Sequence, residues 1–177
     1  MLVNYILGGA ILLKNAIESL SDDKVIELYG CLLDVLRKRK IIRTNNLVGE
    51  IGERKALDYY NKCPSLPNLQ TVSVGAKNVD AINNNNERYS IKATTTKGTS
   101  VFNGLNDKGS KLPQEQLFEY VVIVVLNKDL SLKAMYELNW GNFLSLKKWN
   151  NSKRTWYLTV TEELKSRAET LYEMVRA

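Results

Sequence analysis

The chain has 177 residues, 44% of them hydrophobic and 25% charged, a balance that fits one soluble globular domain with a sizeable core and excludes a disordered chain. Its 25 Lys and Arg outnumber 19 Asp and Glu, so the net charge is +6 and the pI near 9.2, which favours a polyanionic partner such as nucleic acid. There is no His, which excludes a His-based triad, general base or zinc site, and two Cys without a paired spacing point to a reducing cytoplasm.

Residues 2–20 are strongly apolar, but Asn4, Lys14, Asn15 and Glu18 interrupt the run, no basic segment precedes it and no small-residue cleavage motif follows. The stretch reads as a buried helix rather than a signal peptide or membrane anchor. Ser21 is placed to cap a second helix, with Asp22 and Asp23 in its first turn and Arg37, Lys38, Arg39 and Lys40 in its last, as the helix dipole favours. Val25, Leu28, Tyr29, Leu32 and Leu36 recur at helical spacing and give that helix a core-facing stripe. Residues 2–40 are therefore expected to form an antiparallel helical hairpin. The run from Arg37 to Lys40, with Arg43, is the densest basic cluster in the chain, and it reads either as a solvated helix end or as a phosphate-contacting patch.

A third helix is expected from Asn45 or Asn46 to about Asn61, with Leu47, Ile51, Ala56, Leu57 and Tyr60 facing the core. Glu50 and Glu53, three apart, share a face one turn from each other and, on their own, read as solvent-facing acids of an amphipathic helix. Gly49 and Gly52 are costly inside a helix unless something approaches closely. After Pro64 and Pro67 come a strand at residues 71–74 and then a hairpin: β-prone runs 79–82 and 88–94 flank a turn of Asn83 to Asn86. Alternation places Tyr89, Ile91 and Ala93 on one face, and Ser90, Lys92 and Thr94 on the other, toward Asp80. Residues 94–113 form a polar loop whose hydroxyls, Lys97, Lys108 and Lys111 either meet phosphate oxygens or only connect strands. Residues 118–126 are almost continuously apolar and β-branched, the mark of a strand buried on both faces. A neighbouring strand at 131–138, a short helix at 140–149, an edge strand at 155–160 and a final helix at 161–176, capped by Thr161 with Glu162 and Glu163 in its first turn, complete the expected elements.

An Asp, a hairpin turn and a strand ending in x-x-Lys resembles the core of the PD-(D/E)xK nuclease superfamily, with Val-Asp in place of Pro-Asp and Ser-Ile-Lys in place of Asp/Glu-x-Lys. The stretch Asn-Leu-Val-Gly-Glu-Ile-Gly-Glu is similar to the Gly-Glu/Asp-x-x-Gly-Glu segment that opens such domains in restriction-enzyme-like proteins. The resemblance covers about residues 45–126 and points toward Type II restriction endonucleases and related restriction-system proteins. It implies an α/β protein: a restriction-endonuclease-like core with a central mixed β-sheet flanked by helices, plus the N-terminal helical hairpin. One domain of residues 1–177 would then divide into hairpin (1–44), catalytic core (45–126) and C-terminal strands and helices (127–177).

What is known of that family implies Mg²⁺-dependent hydrolysis of DNA phosphodiesters, with Mn²⁺ an alternative ion. Residue by residue, Asp80 matches the motif's Asp and Lys92 its Lys, while Glu50 or Glu53 matches the helix acid, so that Asp80, Glu50 and Glu53 are the metal ligands expected and Lys92 handles the water. Ser90 stands in the acid position, where a neutral hydroxyl is a poor Mg²⁺ ligand. Either the helix acids supply the missing charge, or the chain is a DNA-binding module that keeps the fold without turnover. Double-stranded DNA is the expected partner, contacted by Arg37, Lys38, Arg39, Lys40, Arg43, Thr94, Thr95 and Lys97; no membrane is involved, and a homodimer stays open. A third reading is an interaction protein with the N-terminal hairpin as its dimer interface.

Overall fold

The computed structural model of the chain describes residues 11–72 and 78–174. Its backbone divides into two compact units, Met1–Arg43 and Thr44–Ala177. Expected positions 2–10 of the first helix, 73–74 of the first strand and 175–176 at the C-terminus lie outside the described residues.

In the first unit, residues 11–18 are helical (α1), and α2 follows as Asp22–Lys38, with the acidic start and basic end the sequence predicts. Ser21 occupies the N-cap position in an extended conformation, but its side chain makes no capping bond, contrary to expectation. The other end is closed by backbone alone. Lys40 takes a left-handed conformation (φ 55°), its N–H donates to Arg37 O at 2.9 Å, and Ile41 N–H donates to Leu36 O at 2.9 Å, the bond pair of a Schellman motif. The predicted stripe exists but does not face a core: no residue of α2 is buried, and Ile11, Leu12 and Leu13 of α1 are exposed. The expectation of a buried first helix is corrected to the same extent. Periodicity reports an amphipathic face and says nothing of what covers it. No helix among the described residues is long and apolar enough to cross a membrane.

The second unit opens with α3, Leu47–Lys62, whose N-cap Asn46 accepts a side-chain hydrogen bond from Gly49 N–H at 3.2 Å. Asn61 near its end bonds both backbone groups of Leu69, accepting from N–H at 2.8 Å and donating to C=O at 3.1 Å, which ties the helix to the first strand. Strands β1 (Leu69–Thr71), β2 (Ala81–Asn83), β3 (Arg88–Thr94), β4 (Tyr120–Leu126), β5 (Leu132–Asn139) and β8 (Glu169–Glu173) form one sheet in the order β1-β2-β3-β4-β5-β8. The β3–β4 pair is parallel and the others antiparallel, so the sheet is mixed, as expected. From Val121 to Leu126 every residue of β4 is buried, because both faces are covered. On one side Ala56 and Tyr60 of α3 pack with Tyr89, Ile91, Val122, Val124 and Met135. On the other, Phe102 and Phe118 of the β3–β4 connection join Ile123, Tyr136, Phe143 and Leu164.

Gly52 explains how closely α3 approaches the sheet, since a Cβ there would stand 2.1 Å from Cβ of Ala93 on β3. The close approach anticipated from the two helical glycines is therefore real at this position.

The C-terminal third departs from expectation. Helix α4 is Trp140–Leu146, shorter than predicted, because Lys147 turns extended and Lys148–Asn150 becomes β6, pairing with β7 (Thr155–Tyr157) in a separate two-stranded sheet rather than along an edge of the main one. The expected long final helix is only α5, Glu162–Arg167, capped by Thr161 accepting from Leu164 N–H at 3.2 Å. Ala168 is already extended, and β8 completes the edge of β5, where Tyr59 OH donates to Leu171 O and the Tyr59 and Tyr172 rings meet edge to face at 6.1 Å. Filling the hydrogen bonds of an open strand edge outweighs a helical periodicity only a few residues long.

Candidate functional site

The site is assembled by the β2–β3 hairpin. Its turn is made by asparagines: Asn83 Oδ1 accepts from Asn85 N–H at 2.9 Å and from Glu87 N–H at 3.0 Å, while Asn86 takes φ 61°, a left-handed conformation Asn tolerates. The turn sets the register Ala81↔Tyr89 and Ile82↔Arg88, and Asp80 extends it, donating its N–H to Tyr89 O at 2.8 Å. Asp80 is thereby fixed beside the middle of β3.

Three groups of β3 converge on one oxygen of Asp80. Ile91 N–H donates to Oδ2 at 2.6 Å, Ser90 Oγ donates to it at 3.3 Å, and Lys92 Nζ lies 3.6 Å away. The carboxylate is held by a backbone donor and a hydroxyl and faces a cation, so its orientation is set before any ligand arrives. Both charged side chains keep a path to solvent, 24% exposed for Asp80 and 17% for Lys92. The Lys92 ammonium also lies 5.5 Å from the centroid of the Phe102 ring, so it is confined between a carboxylate and an aromatic face. Ser90 is 1% exposed and committed to Asp80.

Ser90, Lys92 and Thr94 lie on the sheet face away from α3, as alternation predicts. Thr94 is buried, and its hydroxyl donates to Gly98 O at 2.7 Å while accepting from Thr96 N–H at 3.0 Å, so it shapes the turn after β3 rather than facing a ligand. Thr95 and Lys97 are exposed at that turn. Lys97 lines a cleft of about 640 Å³ with Lys133, Tyr136, Thr161 and Lys165, on the same face and at the ends of the parallel strands. Glu50 is buried and Glu53 partly exposed on α3. The basic residues Arg37, Lys38, Arg39, Lys40 and Arg43 are exposed in the first unit.

The donor set offers a hard divalent cation little on its own. Among the described residues no three acidic, Cys or His side chains gather into a metal-holding group, so Asp80, Glu50 and Glu53 are not brought together as a trio. Mg²⁺ binds through one or two carboxylates completed by water and substrate phosphates. Asp80 fits that pattern, since the three contacts described use Oδ2 and the carboxylate reaches solvent.

Two features of the frame were not legible in the sequence. Arg88 and Glu119, 31 positions apart, clamp the start of β3 to that of β4: Nη2 donates to Oε1 at 2.8 Å, and both Nε and the Arg88 backbone N–H donate to Oε2 at 3.1 and 2.6 Å. Hydrogen bonding from Arg88 holds the Glu119 carboxyl below the usual range. On the opposite sheet face Tyr60 OH donates to Glu137, whose carboxyl is pushed up by burial. Tyr60 itself is raised, first by burial and then by the Glu137 charge.

Fold and site together define a mixed α/β protein in which a hairpin presents a paired carboxylate and ammonium beside a buried parallel strand. No protein-family model matches the sequence, and no curated protein was found to match it.

Proposed function

We propose that the chain is a metal-dependent endodeoxyribonuclease with a restriction-endonuclease-like core, hydrolysing phosphodiester bonds of double-stranded DNA in the manner of a Type II restriction endonuclease or a related restriction-system nuclease. The observation that carries this reading is the 3.6 Å approach of Lys92 Nζ on β3 to Oδ2 of Asp80, which stands one residue before β2 in the hairpin, with the buried β4 parallel to β3 on its other side. The order of helix, Asp-bearing strand, Lys-bearing strand and buried strand supports it too.

Asp80 would hold Mg²⁺ or Mn²⁺, with Glu50 or Glu53 as the source of a second carboxylate. An ion held there would supply charge neutralisation on the scissile phosphate and make a nearby water easier to deprotonate. Ile91 N–H and Ser90 Oγ keep the carboxylate in one orientation. Lys92 orients the attacking water and stabilises the charge that forms as it loses its proton. Thr95, Lys97 and the Arg37–Lys40 cluster with Arg43 contact phosphates, consistent with the net charge of +6. Cys31 and Cys63 are both free thiols, which suits the cytoplasm.

Ser90 favours a second reading. Because this position carries a buried hydroxyl and no acid, a DNA-binding module without turnover is the alternative. Plasmid DNA incubated with the protein and Mg²⁺, then with EDTA, separates the two. Metal-dependent nicking or linearisation supports the nuclease. Retention of DNA that weakens with salt, with no cleavage in Mg²⁺ or Mn²⁺, supports the alternative.

A further inference from the structure

Helix α2 carries an apolar face that the described residues leave open. Ile26 is 68% exposed and Leu32 53%, and Val25, Leu28, Tyr29 and Val35 are exposed as well. Val25, Leu28, Leu32 and Val35 follow one another at steps of three, four and three, the spacing of a seam between two long helices. We infer that this face is the interface of a homodimer, in which α2 packs antiparallel against α2 of a second copy of the chain.

Charge selects both the occupant and the direction. The first turn of α2 holds Asp22 and Asp23, and the last holds Arg37 and Lys38. In an antiparallel pair the acidic start of each copy lies beside the basic end of the other, and the helix dipoles oppose favourably. A parallel pair would stack acid on acid and base on base. The antiparallel register that aligns the seam sets Val25 of one copy on Val35 of the other and Leu28 on Leu32, a self-complementary arrangement that two-fold symmetry closes. The inference does not depend on the proposed nuclease activity, but it engages Arg37 and Lys38 with Asp22 and Asp23 of the second copy, so that in the dimer the phosphate contacts proposed for this cluster fall to Arg39, Lys40 and Arg43.

Light scattering coupled to size exclusion, on the full chain at micromolar concentration, tests it. A mass twice the 20.1 kDa of the chain is expected. Leu28→Glu with Leu32→Glu should give a monomer that keeps the β-sheet circular dichroism of the second unit. Since that variant also risks the fold of the helix, a charge series accompanies it. Arg37→Asp with Lys38→Asp should weaken the dimer by roughly tenfold or more, and adding Asp22→Lys and Asp23→Lys to the same chain should restore it. A monomeric wild type overturns the inference, as does a dimer unmoved by the Leu28 and Leu32 changes. Failure of the fourfold charge swap to restore association overturns the antiparallel arrangement.

Discussion

Replacing Gly52 by Ala probes the contact that sets α3 against the strand carrying Lys92. The new Cβ would stand 2.1 Å from Cβ and 3.4 Å from Cα of Ala93. Carbon atoms rest about 3.5–4.0 Å apart, so helix and strand must separate by roughly 1.5 Å. Overpacking of this kind costs about 1–3 kcal/mol, while a helix gains about 1 kcal/mol when Ala replaces Gly. The first term wins because the obstacle is a β-carbon fixed to a central strand, not the end of a flexible side chain. With the overpacking cost at the upper end of its range, about 2–3 kcal/mol, the net loss is about 1–2 kcal/mol, which lowers Tm by roughly 2–8 °C for a domain of this size. Thermal unfolding followed by far-UV circular dichroism reads it, and Ala93→Gly in the Gly52→Ala background should recover part of the loss. If Gly52→Ala unfolds at or above the wild-type temperature, the helix does not rest on Ala93 as described.

Glu137 and Glu119, whose carboxyls are shifted in opposite directions, give opposite pH signatures. Glu137 is raised by burial, so the native state binds its proton more tightly than the unfolded chain, and this contribution to stability is present below the unfolded pKa and lost as pH rises through the folded one. Glu137→Gln, which can still accept from Tyr60 OH, should therefore raise denaturant stability at pH 7 more than at pH 4; equal changes at both would contradict the assignment. Glu119 is lowered by its bonds to Arg88, so its contribution is present above the unfolded pKa and disappears as pH falls through the folded one. Glu119→Gln should cost about 1 kcal/mol at pH 7 and little at pH 3, measured by the same titration. Replacing Arg39, Lys40 and Lys97 by Ala should reduce the slope of log binding constant against log salt by about 0.9 for each phosphate no longer neutralised. An unchanged slope removes these residues from the DNA-binding surface. Ser90→Glu supplies an acid at the position that lacks one, and it should tighten Mn²⁺ binding in a calorimetric titration; no change would mean that the added carboxylate does not reach a metal site.

The hairpin was legible because its determinants are local: four consecutive Asn mark the turn, and strand alternation alone sends Ser90 and Lys92 toward Asp80. The helical glycines were legible as a demand for close approach, though not which residue approaches. Ile91 could not be read as part of the site, because it contributes a backbone N–H that every residue except proline shares. The Arg88–Glu119 clamp joins residues that only the parallel crossover brings together. The final helix is longer in the sequence pattern than in the fold because Leu164, Ala168 and Leu171 fit a helical period, and only the open edge of β5 selects a strand after Arg167. The stripe on α2 is amphipathic as its spacing predicts but not buried, since sequence spacing carries no record of the covering partner.

The central claim is that Asp80 and Lys92 form a hydrolytic pair, and supercoiled plasmid cleavage by wild type, Asp80→Asn and Lys92→Met in Mg²⁺ tests it most directly. The wild type should nick or linearise the plasmid, and both variants should lose that activity by at least roughly a hundredfold, as expected when a group that acts on the reacting water or its metal is removed. Asp80→Asn should bind DNA in EDTA as tightly as the wild type or more so, because a negative charge facing phosphate is gone. Full cleavage by either variant, with both folded by circular dichroism, would contradict the account and place the chemistry elsewhere in the chain.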